Sequence, residues 1–218
     1  MKFNNPKNVF WEALLLTGVV FVLGLFLGMA FEANKLDEIN SYYAQSEIFM
    51  MDFLALNNFE SFEGASCNTL ISSHLNFANR IYEEAVLLEK YEDAGKISEN
   101  FKLAHWKYDL LRTFLWVNAG KVKDRCPNFD YIVYLYEYDE DDLVKRANNK
   151  VWSNILYEVK QEKGDSLILI PIAVNSGLSS LDVLLDKYEI STYPAIFIND
   201  EVIVTELGSS DDVLNYLN

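Results

Sequence analysis

The chain has 218 residues, of which 50% are hydrophobic and 14% aromatic, a composition that excludes a disordered or collagen-like chain. Its 18 basic and 33 acidic residues give a net charge of −15 at pH 7, which argues against a nucleic-acid-binding surface. Because the sequence has only 2 Cys and 2 His, we predict neither a metal site nor a cofactor.

The first predicted element is a membrane-spanning helix. The run Ala13–Phe31 has 19 residues without a charge. With Val9–Trp11 added, it is long enough to cross a hydrocarbon core of about 30 Å. We therefore predict a single-pass signal-anchor helix over residues 9–31, in contact with membrane lipid. Two alternatives stay open: a signal peptide cleaved near Gly28-Met29-Ala30, and a helix buried in the protein core.

The residues around and within this helix predict its orientation and one mode of association. Lys2 and Lys7 precede the helix, whereas acidic residues dominate directly after it. We therefore expect residues 1–8 on the cytoplasmic side of the cell membrane and the bulk of the chain outside the cytoplasm. Gly24 and Gly28 are four residues apart, a spacing that lets two such helices approach closely, so a homodimer through them is one hypothesis.

Residues 32–126 are predicted to form a helical stalk and a small helical bundle. The stalk continues the anchor without a Gly or Pro break and ends at the turn Asn57–Ser66. Two further amphipathic helices follow, and the second is expected to stop at Asn118-Ala119-Gly120. His74 and His105 lie in these helices and are interpreted as packed or boundary residues. The apolar stripes that the bundle would bury are Ile71, Leu75, Ala78, Ile81 or Tyr82, Ala85 and Leu88, then Leu103, Trp106, Leu110, Phe114 and Val117.

The pattern changes at Cys126-Pro127, after which residues 127–218 are predicted to form an α/β domain. The order of elements is β-α-β-α-β-β-α, which indicates a mixed sheet with helices on both faces. The hairpin turn between the last two strands is placed at Asn199-Asp200-Glu201. The four predicted strands are Tyr131–Tyr138, Leu167–Val174, Ala195–Ile198 and Val202–Thr205.

Capping signals place the three helices of this domain. The acidic run Asp139–Asp142 starts the first, and Ser179 and Ser209, each with Asp three residues later, start the other two. Pro171, within an apolar strand, predicts a bulge or the end of pairing. The apolar positions of the first helix are Val144, Val151, Ile155 and Val159.

This order, together with the segment KYEISTYPAIFINDEVI at Lys187–Ile203, resembles the thioredoxin-like superfamily. The resemblance covers about residues 129–218, and its most specific part is the proline followed by an antiparallel hairpin. It implies a thioredoxin-like mixed sheet and a cis bond between Tyr193 and Pro194, although only about 5–6% of X-Pro bonds are cis in general.

The redox-active members of that superfamily carry Cys-x-x-Cys where the first strand meets its helix. Here that position falls at Glu140–Leu143, and no Cys is present between Tyr138 and Leu143. Carboxylates at a helix N-terminus are ordinary caps, so they do not replace the thiols. The resemblance therefore implies a domain without redox activity, and we predict no catalytic residue.

Cys67 and Cys126 are 59 positions apart, at the start of one predicted helix and after the end of the next. If the two helices are antiparallel, these ends meet, and outside the cytoplasm such a pair is normally oxidised. A structural disulfide is the first interpretation. Two free buried thiols and a redox-cycling pair are the alternatives.

Two functions from different classes follow. The first is a protein- or peptide-binding scaffold without enzymatic activity, in which Tyr138, Tyr193 and Pro194 line a groove that pairs with an extended segment of an unidentified protein partner. In the competing interpretation, Tyr193 and Pro194 only shape the fold. The second function is a thiol–disulfide oxidoreductase or disulfide-folding factor that uses Cys67 and Cys126. The acidic surface is interpreted as a source of solubility, with docking of a basic partner as the alternative.

Overall fold

The computed structural model describes the backbone of residues 6–58, 65–92, 99–138, 142–206 and 208–217. The chain divides into two compact units, Met1–Leu56 and Asn57–Asn218.

Helix α1 (Pro6–Asn58) accounts for the first unit and is continuous over 53 residues. Its stretch Phe10–Met29 is long and apolar enough to cross a membrane, and every side chain in that stretch is exposed. The predicted apolar helix of membrane-spanning length is thus confirmed, with bounds within two residues of those expected. A Cβ built at Gly24 or Gly28 would meet nothing within 4 Å, so the side of the helix at these residues is open.

The second unit is a small mixed sheet with helices on both faces. Its four strands have the order β2-β1-β3-β4, with β2 parallel and β3 antiparallel to the central strand β1, and β4 antiparallel to β3. The order of elements after residue 127 is the predicted one. The elements are α2 (Cys67–Glu92), α3 (Glu99–Arg125), β1 (Asp130–Tyr136), α4 (Leu143–Lys163), β2 (Leu167–Ala173), α5 (Ser179–Lys187), β3 (Ala195–Ile198), β4 (Val202–Val204) and α6 (Ser210–Leu214).

Strand β1 is buried on both faces because its side chains alternate between two helical layers. Ile132 and Tyr134 belong to the core formed with α4 and α6, which includes Trp152, Leu156 and Val159. Helices α2 and α3 cover the other face, where the buried Trp116 of α3 packs edge-on against Phe197 of β3. The domain boundary predicted at residue 126 is therefore crossed by packing between α3 and the sheet.

The structure corrects the predicted end of α3, which continues through Gly120 to Arg125. A Cβ at Gly120 would lie 3.0 Å from an oxygen of Asp200, so the glycine lets α3 approach the β3–β4 turn closely. In that turn Asn199 and Asp200 both have positive φ, a conformation that these residues tolerate well. Asp200 accepts hydrogen bonds of 2.8 Å from Trp116 Nε1 and from the Tyr188 hydroxyl.

Four of the five residues in the stripe that was predicted to be buried on α3 are exposed instead, and the fifth, Phe114, is partly buried. The buried face of the helix is formed by Tyr108, Leu111, Leu115, Ala119 and Val122, which pack toward α2 and the sheet. The predicted buried face of this helix is therefore wrong, because α3 packs against both α2 and the sheet through other residues. The exposed fractions on the predicted stripe are 58% for Leu103, 47% for Trp106, 42% for Leu110 and 42% for Val117.

Two smaller predictions also differ. Pro171 pairs in unbroken register with Tyr134, a position that a proline can occupy because β2 is an edge strand. The helix α5 has Leu178 as its N-cap, without a side-chain hydrogen bond, so the predicted cap at Ser179 is wrong. The capping box of Ser209 and Asp212 is confirmed.

The neighbours Leu110 and Leu111 give a matched test of which face of α3 is buried. We expect Leu111→Ala to lower the free energy of unfolding by about 2–5 kcal/mol, because a fully buried side chain leaves a cavity. Leu110→Ala should cost less than about 1 kcal/mol. Urea unfolding of the full chain in detergent measures both, and equal losses would contradict the observed packing.

Candidate functional site: a groove beside Pro194

A groove of about 440 Å3 lies at the C-terminal end of β1. The last paired residues of β1 and β3 are Leu135 and Ala195, so the two strands are no longer paired where the groove begins. The first half of α4 forms one wall and the turn before β3 forms the other. The lining residues are Glu137, Val144, Lys145, Ala147, Asn148, Asn149, Val151, Tyr193 and Pro194.

The turn before β3 is fixed by local bonds. The Tyr193–Pro194 bond is cis, as the resemblance predicts. The Tyr193 hydroxyl donates to the Ile190 carbonyl at 3.0 Å, which holds the half-buried ring against the end of α5. Burial raises the pKa of Tyr193, and the carboxylates of Glu137 and Asp182 raise it further. Among the described residues, no backbone–backbone hydrogen bond uses the N–H or C=O of Tyr193.

The opposite wall is positioned by polar contacts. Asp142 caps α4 by accepting hydrogen bonds from the backbone N–H groups of Val144 and Lys145, at 2.9 and 3.0 Å. Lys145 Nζ lies 2.6 Å from Glu137 Oε2, and Asn149 Nδ2 donates to the Glu137 carbonyl at 2.9 Å. The helix is therefore tied to the end of β1 along this wall.

The apolar lining of α4 is the part that the sequence interpretation missed. Val144 and Val151 were predicted as core positions, but they are 78% and 53% exposed. The buried positions of the helix are Trp152, Leu156 and Val159, at spacings of four and three. The sequence signal for this lining was the pair of valines Val144 and Val151, which are seven residues apart and lie outside the buried stripe of the helix.

Tyr193 and Pro194 meet in the groove, whereas Tyr138 does not line it. Tyr138 stacks on His105 of α3, with ring centroids 5.4 Å apart. The side chain of Asn175 holds its backbone, accepting from the Tyr138 N–H at 2.9 Å and donating to the carbonyl at 2.6 Å. The ring of the other histidine, His74, is buried, and its Nδ1 lies 2.9 Å from the Leu70 carbonyl, as expected of a packed residue.

The disulfide between Cys67 and Cys126 is confirmed, with Cα atoms 5.7 Å apart. It joins the start of α2 to the end of α3, and Cys126 is 2% exposed. Cys126 lies just before the N-terminal end of β1, whereas the groove lies at the C-terminal end. The 7 residues of β1 separate the disulfide from the groove along the sheet, roughly 20 Å at the rise of a β-strand.

Of the predicted acidic cap, Asp139, Glu140 and Asp141 lie outside the described residues.

A buried carboxylate supports the same edge of the sheet from α3. Asp109 is 3% exposed, and its Oδ1 accepts a hydrogen bond from the Ala173 N–H, at the end of β2, at 3.3 Å. Arg112 lies 3.5 Å from the same oxygen. Burial raises the pKa of Asp109, and the positive charge of Arg112 only partly opposes this effect.

No family model and no curated protein matches this chain. Among solved structures, a chain described as "Structure of a malarial protein" is similar over 40% of this chain and 92% of its own length. The sequence identity is 13% and the TM-score is 0.32. That similarity carries no conclusion about fold or function.

The raised pKa of Asp109 predicts a pH dependence of stability. Above the ordinary Asp pKa of about 4 and up to the raised value, the folded chain holds a proton that the unfolded chain has lost. The free energy of unfolding therefore falls as pH rises through this window. Asp109→Asn should remove that fall, because the amide oxygen still accepts from Ala173 and carries no charge.

Urea unfolding between about pH 4 and about pH 7 measures this difference. Asp186→Asn, at an exposed carboxylate on α5, is the control and should keep the wild-type slope. An unchanged slope in Asp109→Asn would show that this carboxyl does not titrate in the window.

Proposed function

We propose that this chain is a membrane-anchored protein with a thioredoxin-like domain that lacks redox activity and binds an extended peptide segment of a partner protein. The order and directions of the four strands, with helices on both faces, support the thioredoxin-like assignment. The cis Tyr193–Pro194 bond before an antiparallel hairpin supports it as well.

The single observation that carries the binding function is the groove itself. It combines exposed valine side chains on α4 with the backbone N–H and C=O of Tyr193. Among the described residues, these two groups make no backbone–backbone hydrogen bond. An extended segment can pair with such backbone groups and place alternate side chains in the cleft. The groove is therefore suited to a strand of another chain.

The anchor and its orientation complete the proposal. Phe10–Met29 crosses the membrane, and Lys2 and Lys7 favour a cytoplasmic N-terminus. The second unit then lies outside the cytoplasm, where the disulfide between Cys67 and Cys126 is stable.

A thiol–disulfide enzyme that uses Cys67 and Cys126 is the alternative, and the geometry gives it less support. Substrate exchange beside Pro194 requires a sulfur at that end of β1, whereas the disulfide lies at the other end. The sequence has no further Cys that could supply one.

The double variant Cys67→Ser/Cys126→Ser separates a structural disulfide from a catalytic one. Opening a loop of 59 residues should lower the free energy of unfolding by about 4 kcal/mol in the chain-entropy model. Insulin reduction should be at background for both wild type and variant. Turnover by the wild type that the variant loses would establish the enzyme instead.

The binding function is tested with the full chain in phosphatidylcholine nanodiscs. Peptides of ten residues are selected from a random library, and their affinity is measured by fluorescence anisotropy. The double variant Val144→Gln/Val151→Gln should weaken binding about tenfold or more, a loss of about 1.4 kcal/mol, because the apolar wall is lost. Neither side chain is buried, so folding should be retained.

Val183→Gln is the matched control, since Val183 is 67% exposed on α5 and does not line the groove. It should leave affinity within about twofold of the wild type. Failure to select any peptide, or equal losses in the groove variant and the control, would refute the proposed function.

A further inference from the structure

We propose that the segment bound in the groove beside Pro194 carries a Lys or Arg side chain, so that the partner presents a basic, extended stretch of chain. The inference rests on the proposed function and deepens it by naming the class of ligand. It is carried by the charges around the groove and by the shape of its walls.

Two carboxylates act on the Tyr193 side of the groove. Glu137 lines the groove together with Lys145, and Asp182 of α5 acts on Tyr193 along with Glu137. The two carboxylates make the surroundings of the Tyr193 ring favourable for a cation. In the sequence, three more acidic residues, Asp139 to Asp141, join Tyr138 to the cap residue Asp142.

Lys145 is the one basic side chain among the lining residues, and it is already engaged. Its Nζ lies 2.6 Å from Oε2 of Glu137, and both side chains are less than half exposed. A carboxylate has a second oxygen and can accept from two cationic groups at once, as it does with the fork of an arginine. Glu137 can therefore bind an incoming cation without releasing Lys145.

The walls fit the rest of such a side chain. Lys and Arg have long methylene stems that pack on apolar surface while the charged end stays polar. Val144 and Val151 offer that surface on α4, and the half-buried Tyr193 lines the same groove. A cation above a tyrosine ring is attracted further by the ring itself. An acidic side chain in the same place would meet Glu137, and the basic residue of the lining, Lys145, is already paired with that carboxylate.

The net charge of −15 acts in the same direction over a longer range. A strongly acidic protein attracts basic segments and speeds their association, an effect that salt screens. Binding of a basic segment is therefore expected to weaken as the salt concentration rises.

The test uses three pools of fluorescent ten-residue peptides with the same Ser, Thr and Val background. Two central positions carry Lys or Arg in the first pool, Gln in the second, and Asp or Glu in the third. Binding to the full chain in phosphatidylcholine nanodiscs is measured by anisotropy at about 50 and about 300 mM salt. The basic pool should bind about tenfold more tightly than the Gln pool at low salt, and the acidic pool most weakly.

Glu137→Gln keeps the shape of the side chain and removes its negative charge, so that Lys145 is the remaining charged side chain of the lining. It should reduce the preference for the basic pool to about twofold while leaving the Gln pool unchanged. Glu158→Gln, at an exposed residue of α4 outside the groove lining, is the control and should keep the full preference.

The outcomes separate the two proposals. If the pools bind equally, if the acidic pool binds best, or if Glu137→Gln keeps the preference, this inference is overturned. In each of those cases, loss of binding in Val144→Gln/Val151→Gln would still uphold the groove as a peptide site. If no pool binds, both proposals fail.

Discussion

Burial of β1 on both faces is the constraint on which the rest of the second unit depends. Its central position requires a strand on each side, which β2 and β3 supply, and a helical layer on each face. The buried run Asp130–Leu135 therefore fixes where α3 and α4 must lie. The groove lies at the C-terminal end of this strand, and the disulfide lies near its N-terminal end.

The two ends of β1 have different roles. At the N-terminal end, the carboxylate of the buried Asp130 accepts hydrogen bonds from Lys123 at 2.7 Å and from the side chain of Asn199 at 2.9 Å. Cys126, which forms the disulfide, precedes this end of the strand. These contacts join α3, β1 and the β3–β4 hairpin. At the C-terminal end the pairing of β1 with β3 stops at Leu135, and the chain segments that diverge leave an open groove. The N-terminal end of β1 is thus held by hydrogen bonds to α3 and to the hairpin, whereas its C-terminal end borders the groove.

The proposed function follows from what this second end retains and lacks. The helix that begins there is capped by Asp142, so its first N–H groups are satisfied internally. No Cys is present in this stretch of the sequence, and carboxylates cannot exchange disulfides. The described residues form a cleft there that is lined by valine side chains of α4, by Tyr193 and Pro194, and by the ion pair of Glu137 and Lys145. In the proposal, this cleft recognises a basic extended strand of a partner protein.

The sequence by itself determined the elements that local pattern encodes: the apolar helix of membrane-spanning length, the strand order along the chain and the hairpin at Asn199–Glu201. It also located Tyr193 and Pro194, because a short motif carries that turn. It did not determine which apolar residues are buried, as Leu110, Val144 and Val151 show. Helical spacing marks an apolar face but does not name its neighbour. Only the tertiary structure decided the close approach of Asp200 to Gly120, the stacking of Tyr138 on His105, and the lining of the groove by two valines. Each of these depends on a segment that is distant in the chain.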